Sequence, residues 1–172
     1  MKLKALVAIV AACLSVQSFA GLLVDPYFGV GQIKTTADVS DLDGEAESYT
    51  SIGSRVGYSF ILVSAGIDYE MGKYGLNDDD ISVTNMSFFV GVDLPILIRA
   101  WAEYQISSDI SGSDADLSFK DGYSVGVGFT GLPFVSLNLE IAATNYELDL
   151  AGNKVDFTTA STLFSVSLPL DL

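Results

Sequence analysis

The chain contains no histidine, and its one cysteine, Cys13, lies close to the N-terminus. General-base catalysis near neutral pH relies above all on histidine, so Ser-His-Asp and Asp-His arrangements cannot be built from this sequence. Zinc sites of the usual ligand types need histidine or cysteine, and they go the same way. Basic residues are also scarce, with 8 Lys and Arg against 22 Asp and Glu and a net charge of −14. Such a chain has no means of gripping a nucleic-acid backbone through its phosphates. After Ala20 no stretch approaches the ~18 uninterrupted apolar residues that a membrane-spanning helix needs. The longest apolar stretch, "FFVGVDLPILIRAWA", is interrupted by Asp93, Pro95 and Arg99. A carboxylate-pair hydrolase using Asp68, Glu70, Glu103 or Glu140 is formally open, but a site needs a pocket as well as poised groups. The expectation is a protein that is not an enzyme and carries no cofactor.

What is present begins with "MKLKALVAIVAACLSVQSFA", residues 1–20. Lys2 and Lys4 precede an apolar run from Ala5 to Leu14, and Ser18-Phe19-Ala20 forms a small-x-small cleavage site, the pattern of a secretory signal peptide cut after Ala20. The alternative is "VAAC", Val10 to Cys13, which loosely resembles a lipoprotein cleavage box and would leave Cys13 lipidated. With the cut after Ala20, the mature chain 21–172 loses Lys2, Lys4 and Cys13. It then sets six basic against 22 acidic residues, a net −16, and has no disulfide to hold it together.

The segment "VSAGIDYEMG", residues 63–72, alternates apolar and polar residues without a slip, the period of a β-strand. Similar runs are expected at 23–33, 50–60, 62–74, 82–94, 97–107, 119–130, 135–148 and 157–168. Leu-Pro recurs at Leu94-Pro95, Leu132-Pro133 and Leu168-Pro169, where tight turns are expected because proline cannot donate to a ladder. Between these turns lie longer polar stretches, so short and long connections alternate. Eight hairpin-linked strands of ten or so residues close best into an all-β, eight-stranded antiparallel up-and-down barrel. Strands of that length suit a bilayer crossing. One parity carries Phe28, Val30, Ile52, Val56, Ile67, Phe88, Val90, Val125 and Phe164 and no charge. The other carries Arg55, Asp68, Glu70, Arg99, Glu103 and Glu140 among glycines. With 49% hydrophobic residues, the chain is expected to turn its apolar parity to lipid and its charges inward, a transmembrane barrel.

Signal peptide, eight alternating strands, alternating short and long connections and the terminal strand "LFSVSLPLDL" together make the chain resemble small bacterial outer-membrane β-barrels of the OmpA/OmpX-like class. The resemblance is one of architecture over 21–172. It departs from the class at the last residue, Leu172, where phenylalanine is usual. It implies a Gram-negative outer membrane, termini and Leu-Pro turns in the periplasm, and acidic loops outside. The partners it implies are outer-membrane lipid and lipopolysaccharide, and the barrel-insertion machinery acting on the C-terminal strand. An extracellular ligand held by the loops and a monomeric state are further expectations. A structural or surface-interaction role leads. A narrow, low-conductance pore and a soluble, lipocalin-like periplasmic barrel binding an apolar ligand remain as alternatives.

Two sets of residues are candidates for chemistry. Arg55, Asp68, Glu70, Arg99, Glu103 and Glu140 are expected to meet near mid-barrel as a polar network filling the lumen, since unpaired buried charges are costly. The acidic excess should leave at least one carboxylate protonated or solvated. Arg99→Met should destabilise the barrel, and Glu103→Gln should recover part of the loss. In the loops, "SDLDGE" and "NDDD" offer Asp41, Asp43, Asp78, Asp79 and Asp80 as oxygen ligands for a divalent cation, though at the wrong spacing for an EF-hand.

Overall fold

β1 (Gly21–Ala37) hydrogen-bonds along both of its edges, and this closes the sheet. The others follow as β2 (Glu47–Phe60), β3 (Val63–Leu76), β4 (Asp79–Leu94), β5 (Ile98–Ser111), β6 (Leu117–Phe129), β7 (Ser136–Leu150) and β8 (Asn153–Ser167), with a two-residue β9 (Leu170–Asp171). Each strand pairs antiparallel with its sequence neighbours, and β8 returns to β1. The computed structural model describes residues 21–37, 44–76, 79–112, 117–150 and 153–172. The signal-peptide reading of 1–20 therefore lies outside the described residues, as do Asp41, Asp43 and Asp78. The fold is the expected eight-stranded up-and-down barrel, with no free edge to template aggregation.

The strands run further at the long-connection end than hydropathy suggests, since residues such as Thr35, Thr36, Ser48 and Thr158 continue the ladders without apolar contrast. Asp79 and Asp80, expected in a loop, open β4 and pair with Leu76 and Gly75. The third Leu-Pro is a correction. Leu168-Pro169 does not turn: Tyr27 pairs with Ser167 and Val24 with Leu170 in one unbroken register, so β8 and β9 form a single closing strand. Pro169 only removes one donor from that ladder, and Leu168 N–H still donates to the Pro26 carbonyl at 3.0 Å.

The three genuine short turns share an unusual backbone. Ile61, Leu97 and Phe134 all have positive φ, between 60° and 67°, where bulky L-residues are strained. All three project into the surroundings, Phe134 with 89% of its surface exposed.

Side-chain parity settles which face is which. Phe28, Ile52, Phe88, Val90, Tyr104, Val125, Ile141 and Phe164 lie on the outside, each with more than half of its surface exposed, while Arg55, Asp68, Glu103 and Glu140 are buried inside. From the turn tip at Ile61 to Met71, the outward face of β3 is free of charge. That is a height of about 25 Å for a tilted strand, which matches the apolar band of a bilayer-spanning barrel. Lys34, Lys73 and Lys120 stand exposed above this band, on the long-connection side.

Glycine makes the narrow interior workable. A Cβ at Gly126 would overlap the Trp101 indole, and one at Gly53 would overlap the Tyr27 ring, so each aromatic lies flat against a glycine on a neighbouring strand. Gly126→Ala should therefore cost about 1–3 kcal/mol by overpacking. Urea titration of the barrel refolded in lipid vesicles measures this, and adding Trp101→Phe should recover part of it.

Candidate functional site: a closed lumen and an open mouth

Arg55 sits at the centre of the lumen, 3% exposed. Its Cα neighbours across the ladders are Asp25 on β1 and Asp68 on β3, so the register alone sets two carboxylates beside it. Its side chain then crosses the lumen. Nε donates to Glu103 Oε1 at 3.0 Å and Nη2 to Glu140 Oε2 at 2.7 Å, while Asp25 and Asp68 stand at 3.7 and 3.9 Å. The guanidinium lies between two rings, 4.8 Å from the Tyr27 centroid and 4.4 Å from that of Trp101. Those rings in turn anchor the acids: Tyr27 O–H donates to Asp68 at 2.9 Å and Trp101 Nε1–H to Glu140 at 3.1 Å. Charge, hydrogen bonding and cation–π contact thus converge on one side chain.

Arg99 stands apart from this centre. It is the second residue of β5, next to the Leu94–Leu97 turn, where Nε donates to Asp93 at 2.7 Å and Nη1 to Asp25 at 3.3 Å. Expecting Arg99 at mid-barrel beside Glu103 is therefore corrected. Asp25 links the two arginines, and neither Asp25 nor Asp93 was among the residues singled out from the sequence. Both lie on the inward parity, which was the signal that could have found them. Glu70 lies on the other side of Arg55, among neutral partners. Tyr49 O–H donates to it at 3.1 Å and Asn85 Nδ2 at 3.2 Å, and Ser108 ties Asn85 to Tyr146.

Five carboxylates (Asp25, Asp68, Asp93, Glu103 and Glu140) thus share two guanidiniums, while Glu70 is held by neutral donors. Oδ1 of Asp25, Oδ1 of Asp68 and the Ser124 hydroxyl have no hydrogen-bond partner among the described residues. Beside Asp68 and Ser124 remains a space of about 40 Å³, room for a few waters. Across the Arg55 plane the lumen is filled by side chains. Among the described residues, no group of three or more Asp or Glu side chains is arranged to hold a metal ion. Asp79 and Asp80 open strand β4.

Towards the long connections the lumen changes character. Two β-bulges, at Ile106 in β5 and Lys120 in β6, each insert one residue and reverse the inward parity beyond them. Ile110 and Leu117 consequently face inward, where they join Ile33, Tyr74, Leu148 and Phe157 around an opening of about 600 Å³.

No protein-family model matches the sequence, and no curated protein matches it significantly. Solved structures do match. Neisserial surface protein A is similar at 14% identity and a TM-score of 0.57, with 84% of this chain and 96% of that one covered. Ail, the attachment invasion locus protein of Yersinia pestis, in complex with the heparin analogue sucrose octasulfate, is similar at 8% identity and a TM-score of 0.59. There 87% of this chain and 99% of the other are covered. Identities this low establish a shared fold.

Proposed function

We propose that the chain is an integral outer-membrane barrel of a Gram-negative bacterium, with a structural or surface-interaction role rather than a catalytic one. The observation that carries this reading is the inverted surface: a closed barrel with an uncharged apolar band outside and the Arg55 ion pairs within. A soluble barrel binding an apolar ligand would instead expose its charged parity to water. The reading is supported by the fold it shares with a Neisserial surface protein and with an attachment invasion locus protein. This chain differs from the second in its chemistry. A net charge of −14 suits contact with cations or cation-bridged lipopolysaccharide, not with a polyanion such as a heparin analogue.

Lipid covers the outside, the closing strand of β8 and β9 presents the insertion signal, and the barrel works as a monomer after cleavage behind Ala20. N-terminal sequencing of the exported protein should begin at Gly21; a lipidated Cys13 at the N-terminus would replace that assignment. Fractionation should place the protein with outer membranes, and recovery from soluble periplasm without detergent would overturn the reading. With Arg55 spanning the lumen, planar-bilayer recordings should show no steady conductance. A conductance that grows on Arg55→Met, in a barrel that still folds, would favour the narrow-pore reading.

A further inference from the structure

The inward face of a water-filled barrel mouth needs no apolar side chains, yet this one is lined by them. Below it the lumen is polar, ending in a tier formed by Tyr49, Glu70, Asn85, Ser108 and Tyr146. Above that tier Ile33, Ile81, Ile110, Leu148 and Phe157 surround the opening of about 600 Å³, within the roughly 300–1,000 Å³ typical of small-molecule sites. Ile110 faces inward only because of the bulge at Ile106, a device that re-aims side chains near binding sites. The lining contains no lysine or arginine. Its one half-buried acid is Glu47, whose Oε2 is buried without a hydrogen-bond partner. Desolvation pushes the Glu47 carboxyl above its ordinary pKa, as expected for an oxygen lacking a donor.

We infer that the barrel mouth binds a small, compact apolar molecule carrying a cationic or hydrogen-bond-donating head, the body against Ile33, Ile81, Ile110 and Phe157 and the head on Glu47. Shape and apolar lining supply the affinity, and the unpartnered carboxylate oxygen supplies the orientation. An anionic head would meet an acid and a chain of strongly negative charge, so selection against anions is built in. That the mouth opens to the cell exterior rests on the outer-membrane reading; the pocket itself does not.

The test uses the barrel in lipid nanodiscs, with ¹³C-labelled isoleucine methyl groups and two probes of equal shape, 1-aminoadamantane and adamantane-1-carboxylate. Ile33, Ile81 and Ile110 report the mouth, while Ile52, Ile98 and Ile141 on the outer face report partition into lipid. The amine should give saturable shifts at the three mouth methyls and none at the outer three. The carboxylate should bind at least tenfold more weakly. Glu47→Gln should reduce that preference at least threefold while leaving the barrel folded, the exposed Glu45 and the net charge keeping the remainder, and Leu148→Trp should narrow the cavity and weaken binding of both probes. Absence of saturable mouth shifts with either probe, or equal shifts inside and outside, would overturn the pocket. So would contacts showing that the long connections fill the space among Ile81, Ile110 and Phe157 in the unliganded barrel. Mouth shifts in a barrel whose outer methyls show no acyl-chain contacts would support the pocket and overturn the membrane reading.

Discussion

Arg55→Met should cost the folded barrel about 3–5 kcal/mol, because it leaves Glu103 and Glu140 buried without their shared cation. Methionine keeps much of the volume between Tyr27 and Trp101, so the loss reports charge rather than a cavity. Urea titrations in lipid vesicles measure it, and a double-mutant cycle apportions it. Glu140→Gln on the Arg55→Met background should recover part of the loss, since partners in one network couple instead of adding. Arg99→Met should cost less, because its partner Asp93 has a 35% exposed side chain and part of that pair already meets water. Equal costs at the two arginines, or no coupling between Arg55 and Glu140, would contradict the central position assigned to Arg55.

The second large effect belongs to the outer face. Val90, 59% exposed, lies midway along the apolar outside of β4. Val90→Arg should cost about 2–4 kcal/mol on insertion, the range for arginine at the midplane of a lipid-facing barrel wall. Thr84→Arg, on the same strand but close to the exposed Lys73 level, should cost about 1 kcal/mol or less, because the penalty falls off towards the interface. The yield of protease-protected barrel in vesicles gives both values. Val90→Arg inserting as well as the unaltered chain would mean that this wall does not face lipid.

Period-two alternation made the barrel and its polarity legible from sequence, since each outward and inward residue named from parity lies on the face expected of it. Pairing inside the lumen was not legible. Arg99 and Glu103 share a face four residues apart, but along a strand that is about 13 Å, too far to meet. Glu103 is reached instead by Arg55 from across the barrel, a contact fixed by closure and not by spacing. Asp93 read as an interruption of an apolar run, although it lies on the inward parity with Phe89 and Gly91. The apolar mouth was hidden for another reason. Each bulge reverses parity, so Ile110 and Leu117 carry the wrong index for the face they occupy. Leu168-Pro169 misled in the opposite sense: proline marks a missing donor, and that donor was lost within a strand.

The strained apolar turns bear on how the barrel tolerates bilayers of different thickness. At the long-connection end a charged rim, Lys34, Lys73 and Lys120, fixes a boundary that cannot enter hydrocarbon. At the other end the three turn tips carry Ile61, Ile96, Leu97 and Phe134, all exposed and uncharged. Hydrophobic mismatch is therefore one-sided. A thicker membrane can take in these three tips until it meets the part-exposed Asp93 and the amino group left on Gly21, whereas a thinner one strips lipid from them and must thicken locally or tilt the barrel. Adjustment falls mainly on the turn side, and the height of the mouth above the surface changes little.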